Sequence, residues 1–419
     1  MISEPRTAFV WIWLPGATEP VPAGKLELHE GTDIITFAYG KAYLAREDAR
    51  PLYRPELPLQ RGRQEPLGSL KVAGVIRDGG PDAWGQCVML RRLLGKRNVR
   101  DEDPGSVSLL NYLLGSGSNR PGALDFQASA ETYDARTHSA TLEQLQQGAR
   151  DVESSAPMSE ELLGALEAGS AVGGARPKAT LSQEDRHLIA KFSSPSDNYP
   201  VAKAEAVAMA LARRVGLSVA TTELVQVAGR DVLLVERFDR GPGGTRRAFV
   251  SALTIARESE MNARYATYTG LADALRVGSA TRGNTLKELF GRIVFNILIS
   301  NTDDHARNHA AFVDGEGGLE LTPAYDICPQ NRTGQEAAQA MAFGPDGERL
   351  SQVTECLRVA RFYDLSERDA RNIIDGQLDV IRTQWNEAAE EATLTRAERD
   401  RMWGSQVLNP FATYGYQEG

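Results

Sequence analysis

Between residues 301 and 308 the chain reads Asn-Thr-Asp-Asp-His-Ala-Arg-Asn, and within that run Asp303 and Asn308 stand five residues apart. A carboxylate and a carboxamide at this spacing, with a second carboxylate further along, make up the oxygen set of phosphoryl transfer. One Asp takes the proton of an attacking hydroxyl, and Asn and the later Asp hold a magnesium ion on the phosphates. The later Asp is Asp326, closing Leu-Thr-Pro-Ala-Tyr-Asp. Magnesium binds few protein oxygens and keeps several waters, so Asn308 and Asp326 suffice as its protein ligands. Asp303 is then left to position or deprotonate the nucleophile. The plainer alternative is that 301–308 finishes a helix and Asp326 belongs to a turn, because Asp and Asn favour both settings.

Upstream, Gly169-Ser-Ala-Val-Gly-Gly-Ala-Arg-Pro-Lys178 lets backbone N–H groups approach phosphates, since glycine permits tight turns with no side chain in the way. It lacks the Walker A pattern, and by itself a flexible linker is the commoner reading. Lys191 follows inside the apolar run Leu188-Ile-Ala-Lys-Phe192, then Glu205, then an apolar segment entering Glu236-Arg-Phe-Asp239. A strand lysine that meets ATP phosphates and a helix glutamate that orients it occur in this order in kinases, although each residue alone suits a solvated surface. The order of the parts, more than any one of them, carries the reading.

These residues need elements to position them. Leu286 to Ser300 is apolar nearly all round, which predicts a buried central helix, and Thr285-Leu-Lys-Glu288 predicts a capping box at its start. It delivers 301–308 to one place. His309–Val313 and Leu319–Thr322, joined through Asp314–Gly318, predict a hairpin that brings Asp326 back to that loop. Strands are expected at 177–181 and 188–192 and as a hairpin of 223–227 with 232–235, turning at 228–231. A helix runs from Pro200 to Gly216 with Val207, Leu211 and Val215 four apart. Ser366–Asp369 and Thr395–Glu398 each read as a helix start. Residues 7–126 read as short strands and turns of an α+β subdomain, and the polar stretch 129–157 as a short helix and a connection. The expected division is therefore 1–128, an N-terminal α+β subdomain; 129–240, a nucleotide-binding lobe; and 241–419, a mostly helical lobe. The fold class is α+β, protein-kinase-like and two-lobed.

The 419 residues, 42% hydrophobic and 25% charged, exclude a disordered chain. A formal net charge of −9 disfavours broad binding to nucleic acid. Cys87, Cys328 and Cys356 are odd in number and far apart, which argues against a disulfide framework or a zinc site. The start of the chain has an early acid and an apolar run broken by Pro15, so it reads neither as a signal peptide nor as a spanning helix, and the cytoplasm is expected.

The chain resembles the HipA-type serine/threonine kinases of bacterial toxin–antitoxin pairs. The likeness rests on GGARPK (173–178), HLIAKF (187–192), LLVERFDR (233–240), NTDDHARN (301–308) and LTPAYD (321–326). GGPDAWGQ (79–86) and NRPGALDF (119–126) resemble that family's extra N-terminal subdomain. The resemblance implies that Lys191 contacts ATP phosphates and that Gly173, Gly174, Arg176 and Lys178 form the phosphate loop. It also implies Glu236 and Phe238 at the adenine hinge, Asp303 as catalytic base, and Asn308 and Asp326 as magnesium ligands. Family members are switched off by autophosphorylation of a loop serine, for which Ser170 is the nearest candidate, one residue out of place. Relatives phosphorylate an aminoacyl-tRNA synthetase and are neutralised by a small helix-turn-helix antitoxin that binds operator DNA, so DNA would be met only through that partner. A small-molecule phosphotransferase of the aminoglycoside-kinase type, and a non-catalytic antitoxin-binding protein, remain as alternatives. Arg91 to Arg100 is a basic stretch that reads as a solvated helix end, and His305 as a hydrogen-bonded structural histidine.

Overall fold

The computed structural model describes residues 5–419 except 96–97, 100–101, 138–139, 184–185, 279–281, 316 and 333. The strands are β1 (Thr7–Ile12), β2 (Val21–Leu28), β3 (Ile35–Tyr39), β4 (Arg63–Gln64), β5 (Leu124–Gln127), β6 (Lys178–Gln183), β7 (Arg186–Phe192), β8 (Thr222–Val227), β9 (Arg230–Glu236), β10 (Phe249–Ser251), β11 (Ala310–Val313) and β12 (Leu319–Leu321). They form sheets ordered β4-β3-β2-β1-β5, β6-β7-β9-β8 and β10-β11-β12. The chain makes two compact units. One holds Met1–Pro195, Val225–Val250 and Phe312–Gly317, and the other holds Ser196–Leu224, Ser251–Ala311 and Gly318–Gly419. Residues 1–128 and most of 129–240, expected as separate segments, thus share the first unit.

In the first unit β7 alternates as a half-buried strand must. Leu188, Ala190 and Phe192 enter the core, so Lys191 stands on the opposite face. That core also takes Trp84, Val88, Leu145, Leu166, Val232 and Leu234. The helices behind it are Ala83–Leu94, Leu142–Glu153 and Glu160–Ala168. Thr141 and Gln144 close a capping box at the start of the second. The β8–β9 turn is tighter than expected, because Ala228 (φ 46°) and Gly229 (φ 74°) both adopt left-handed geometry and complete a two-residue hairpin.

In the second unit the central helix runs Arg282–Leu298, so Thr285 lies inside it and the expected capping box at that residue does not mark its start. Leu286, Leu289, Phe290, Ile293, Val294, Phe295, Ile297 and Leu298 are each at most 1% exposed, as the apolar pattern required. Burial of each such side chain contributes roughly 1.5–3 kcal/mol. The Val201–Arg214 helix follows Pro200 and stops before Gly216, whose φ of 86° a residue with a Cβ rarely adopts. Glu367–Glu391 starts at Ser366, as expected, and packs on both of these helices.

Candidate active site

The central helix ends where Ser300 turns left-handed (φ 55°) and Asn301 N–H returns to the Asn296 carbonyl at 2.8 Å. From there a chain of buried polar groups fixes the loop. Asn301 Nδ2 donates to Asn296 Oδ1 at 3.0 Å, and Asn296 Nδ2 to Asp304 Oδ2 at 2.6 Å. His309 Nε2 lies 2.8 Å from Asp304 Oδ1 and 3.0 Å from the Tyr268 hydroxyl. Burying these polar side chains is tolerable because each makes at least one hydrogen bond, although the Nδ1 of His309 has no partner. Asp303, between the anchors, is solvent-exposed, and Asn308 Nδ2 donates to the Asp303 backbone carbonyl at 3.3 Å. The Tyr325 hydroxyl donates to the Arg307 carbonyl at 2.8 Å, so Asp326, held at a left-handed φ of 59°, is tied beside the Asn308 end of the loop. A non-Gly residue in that region is uncommon and points to a constrained role.

Asp303 and Asn308 therefore share one pinned loop of the second unit, and Asp326 follows Tyr325, whose hydroxyl is bonded to that loop. The donor set at 308 and 326 is one carboxamide and one carboxylate oxygen, hard ligands of the kind magnesium takes. No cluster of three His, Cys, Asp or Glu that could hold a metal ion occurs among the described residues.

The remaining expected site residues, Glu205 apart, lie in the first unit. Antiparallel β6 and β7 set Lys178 directly opposite Lys191, which places both side chains on one face of the sheet. Lys178 is 3% exposed and its ammonium donates to the Gly173 carbonyl inside the glycine-rich loop, whereas Arg176 is exposed. Glu236 ends β9 opposite Leu188, and Phe238 packs on Phe249 and Phe312 with ring centroids 5.8 and 5.7 Å away. Ser170 is fully buried and its hydroxyl has no hydrogen-bond partner. Glu205 is buried on the Val201–Arg214 helix of the second unit.

Two expectations need correction. The Nδ1 of His305 has no partner, and the hydrogen-bonded histidine is His309. Arg91 is buried rather than solvated, donating to the carbonyls of Asp151 (2.8 Å) and Ala156, while Arg92 pairs with Glu167. Lys96, Arg97 and Arg100 of the same stretch lie outside the described residues.

The structure also adds what the sequence reading missed. NRPGALDF and LLVERFDR are bolted together: Asp239 accepts from Arg237 at 2.7 and 2.9 Å, from Arg240 at 2.8 Å and from Gly122 N–H at 2.7 Å. Burial alone would raise the Asp239 carboxyl, but Arg237 and Arg240 hold it well below the usual carboxylate range. The Asn296–Asp304–His309 chain was missed too, and its signal was a polar residue inside an otherwise apolar helix, which must find a partner when buried.

A glycine-rich loop before a strand lysine, then an Asp and Asn five apart with a returning Asp, on an antiparallel sheet and a helical unit, define a kinase-like α+β fold. The family model described as HipA-like C-terminal domain matches residues 170–385, more than half of the chain. The chain belongs to the HipA-like family. It is 31% identical over 147 residues to the putative kinase Y4mE of Sinorhizobium fredii, covering 33% of each chain. It is 27% identical over 181 residues to the serine/threonine-protein kinase toxin HipA of Shewanella oneidensis, covering 38% of this chain and 41% of that one. The chain thus spans well under half the length of these relatives. In fold it is similar to Shewanella oneidensis HipA solved with HipB and operator DNA, at a TM-score of 0.62 and 18% identity over 93% of this chain and 97% of that one.

Proposed function

We propose that this protein is an ATP- and magnesium-dependent serine/threonine protein kinase that acts as the toxin of a toxin–antitoxin pair. The observation that carries the proposal is the exposed Asp303 on a loop pinned at both ends, with Asn308 and the strained Asp326 tied beside it. In this reading Asp303 orients the acceptor hydroxyl and takes its proton, and Lys191, with Lys178 under the glycine-rich loop, bears on the phosphates. Arg176, Gly173 and Gly174 complete the phosphate loop, and Glu236 and Phe238 form the adenine hinge. Magnesium, when bound, neutralises charge on the phosphates, and Asn308 and Asp326 are the residues that would hold it. The acceptor is a protein of the translation machinery, such as an aminoacyl-tRNA synthetase. The neutralising partner is a small helix-turn-helix antitoxin, with DNA met only through it, and the location is the cytoplasm. No described helix is long and apolar enough to cross a membrane.

The test is growth arrest on expression. Asp303→Ala and Asp326→Ala should each relieve it at equal protein level, since positioning and charge supply nearly all of the catalysis. Arrest that persists unchanged in both variants rejects a kinase-based toxin.

A further inference from the structure

We propose that the GGPDAWGQ segment is the bed of the glycine-rich loop, with Asp82 and Trp84 as positioning residues for ATP binding. This inference rests on the kinase reading above and adds residues to it. Asp82 stands at the N-cap of the Ala83–Leu94 helix, where an aspartate ordinarily caps its own helix, yet it makes no such bond. Its Oδ2 instead accepts the Gly174 N–H at 2.8 Å, across 92 residues of sequence. The backbone N–H of Trp84, one of the helix's orphan donors, goes to the Gly174 carbonyl at 3.2 Å, and its indole Nε1 donates to the Lys178 carbonyl at 2.9 Å. The helix start therefore spends its polar groups on the loop.

The glycines of both segments explain themselves by the same contact. A Cβ on Gly85 would stand 1.9 Å from the Ser170 carbonyl oxygen, and a Cβ on Gly173 would stand 2.6 Å from Asp82 Oδ2. Gly174, at a φ of 115°, occupies a region closed to other residues. A loop containing this much glycine loses more backbone freedom on ordering than any other composition, and that loss is charged against ligand affinity if it occurs on binding. Anchoring at Gly174 and Lys178 removes the loss in advance.

The test measures ATP affinity of the whole chain by titration calorimetry, alongside hydrogen–deuterium exchange of residues 169–178 without nucleotide and thermal melting. Asp82→Ala should weaken ATP binding by about tenfold or more, the value of a hydrogen bond to a charged group, and speed exchange in the loop. Asp82→Asn, which keeps an acceptor oxygen, should restore most of both. Trp84→Phe should act in the same direction, and protects the test if Asp82→Ala folds poorly. Tighter ATP binding by Asp82→Ala would overturn the proposal, because the carboxylate would then be competing with phosphate. Unchanged affinity and exchange in a folded Asp82→Ala would overturn it as well, leaving the kinase reading intact. A wild-type chain that binds no ATP would overturn both.

Discussion

Asp239→Asn should unfold the first unit well before the wild type. The native carboxylate accepts four hydrogen bonds, three from Arg237 and Arg240 and one from Gly122, with its side chain only 5% exposed. An asparagine of the same shape keeps one acceptor and turns an N–H toward guanidinium donors, leaving two buried cations without their counter-charge. Breaking one partner of a buried ion pair costs about 3–5 kcal/mol. For a unit of this size each kcal/mol moves the melting temperature by about 2–4 °C, so a drop of roughly 6–20 °C is expected. The assay is differential scanning calorimetry at pH 7. The exposed pair Arg382–Glu418, at 2.6 Å, is the control, and Glu418→Gln there should cost at most about 1 kcal/mol. An Asp239→Asn protein melting within about 2 °C of wild type would refute the view that this carboxylate bolts the two motifs together.

Three further outcomes are expected. Because the folded Asp239 carboxyl is held below its unfolded value, its stabilisation is complete above about pH 4 and is lost as pH falls toward the folded value. The melting difference between wild type and Asp239→Asn should thus be constant from pH 5 to 7 and shrink on acidification below about pH 4, and a difference that grows there contradicts the sign. Phe290→Ala, at 0% exposure in the central helix, should lose about 3–5 kcal/mol in urea titration with an unchanged slope. Asp326→Asn should lower phosphoryl transfer by about 100-fold or more while leaving the urea midpoint near wild type, and equal activity would remove Asp326 from the site.

Much of the second unit was legible because its signals are local. The apolar run 286–299 could only be a buried helix, and Ser366 and Thr395 announced helix starts that the structure forms by side-chain bonds to Asp369 and Glu398. Its start was misplaced because the helix already begins at Arg282, before the plausible cap, although Gly283, Asn284 and Thr285 are poor helix formers. Spacing alone singled out Asp303, Asn308 and Asp326 as the proposed group. What holds the loop could not be read this way, since Asn296, Asp304, His309 and Tyr268 meet only in three dimensions. The same limit applies in the first unit, where Arg237 meets Asn119 and Gly174 meets Asp82 over separations that no periodicity encodes. Arg91 misled because a long guanidinium stem buries easily when backbone carbonyls receive its head.

The central claim is that Asp303 serves phosphoryl transfer to protein. Its most direct measurement incubates the purified chain, or a folded Asp303→Asn variant, with γ-labelled ATP, magnesium and a cell lysate, then counts label in protein bands. Wild type should label a discrete protein, and Asp303→Asn should retain about 1% or less of that rate. Equal labelling by the variant, or label that enters only small metabolites, would contradict the account.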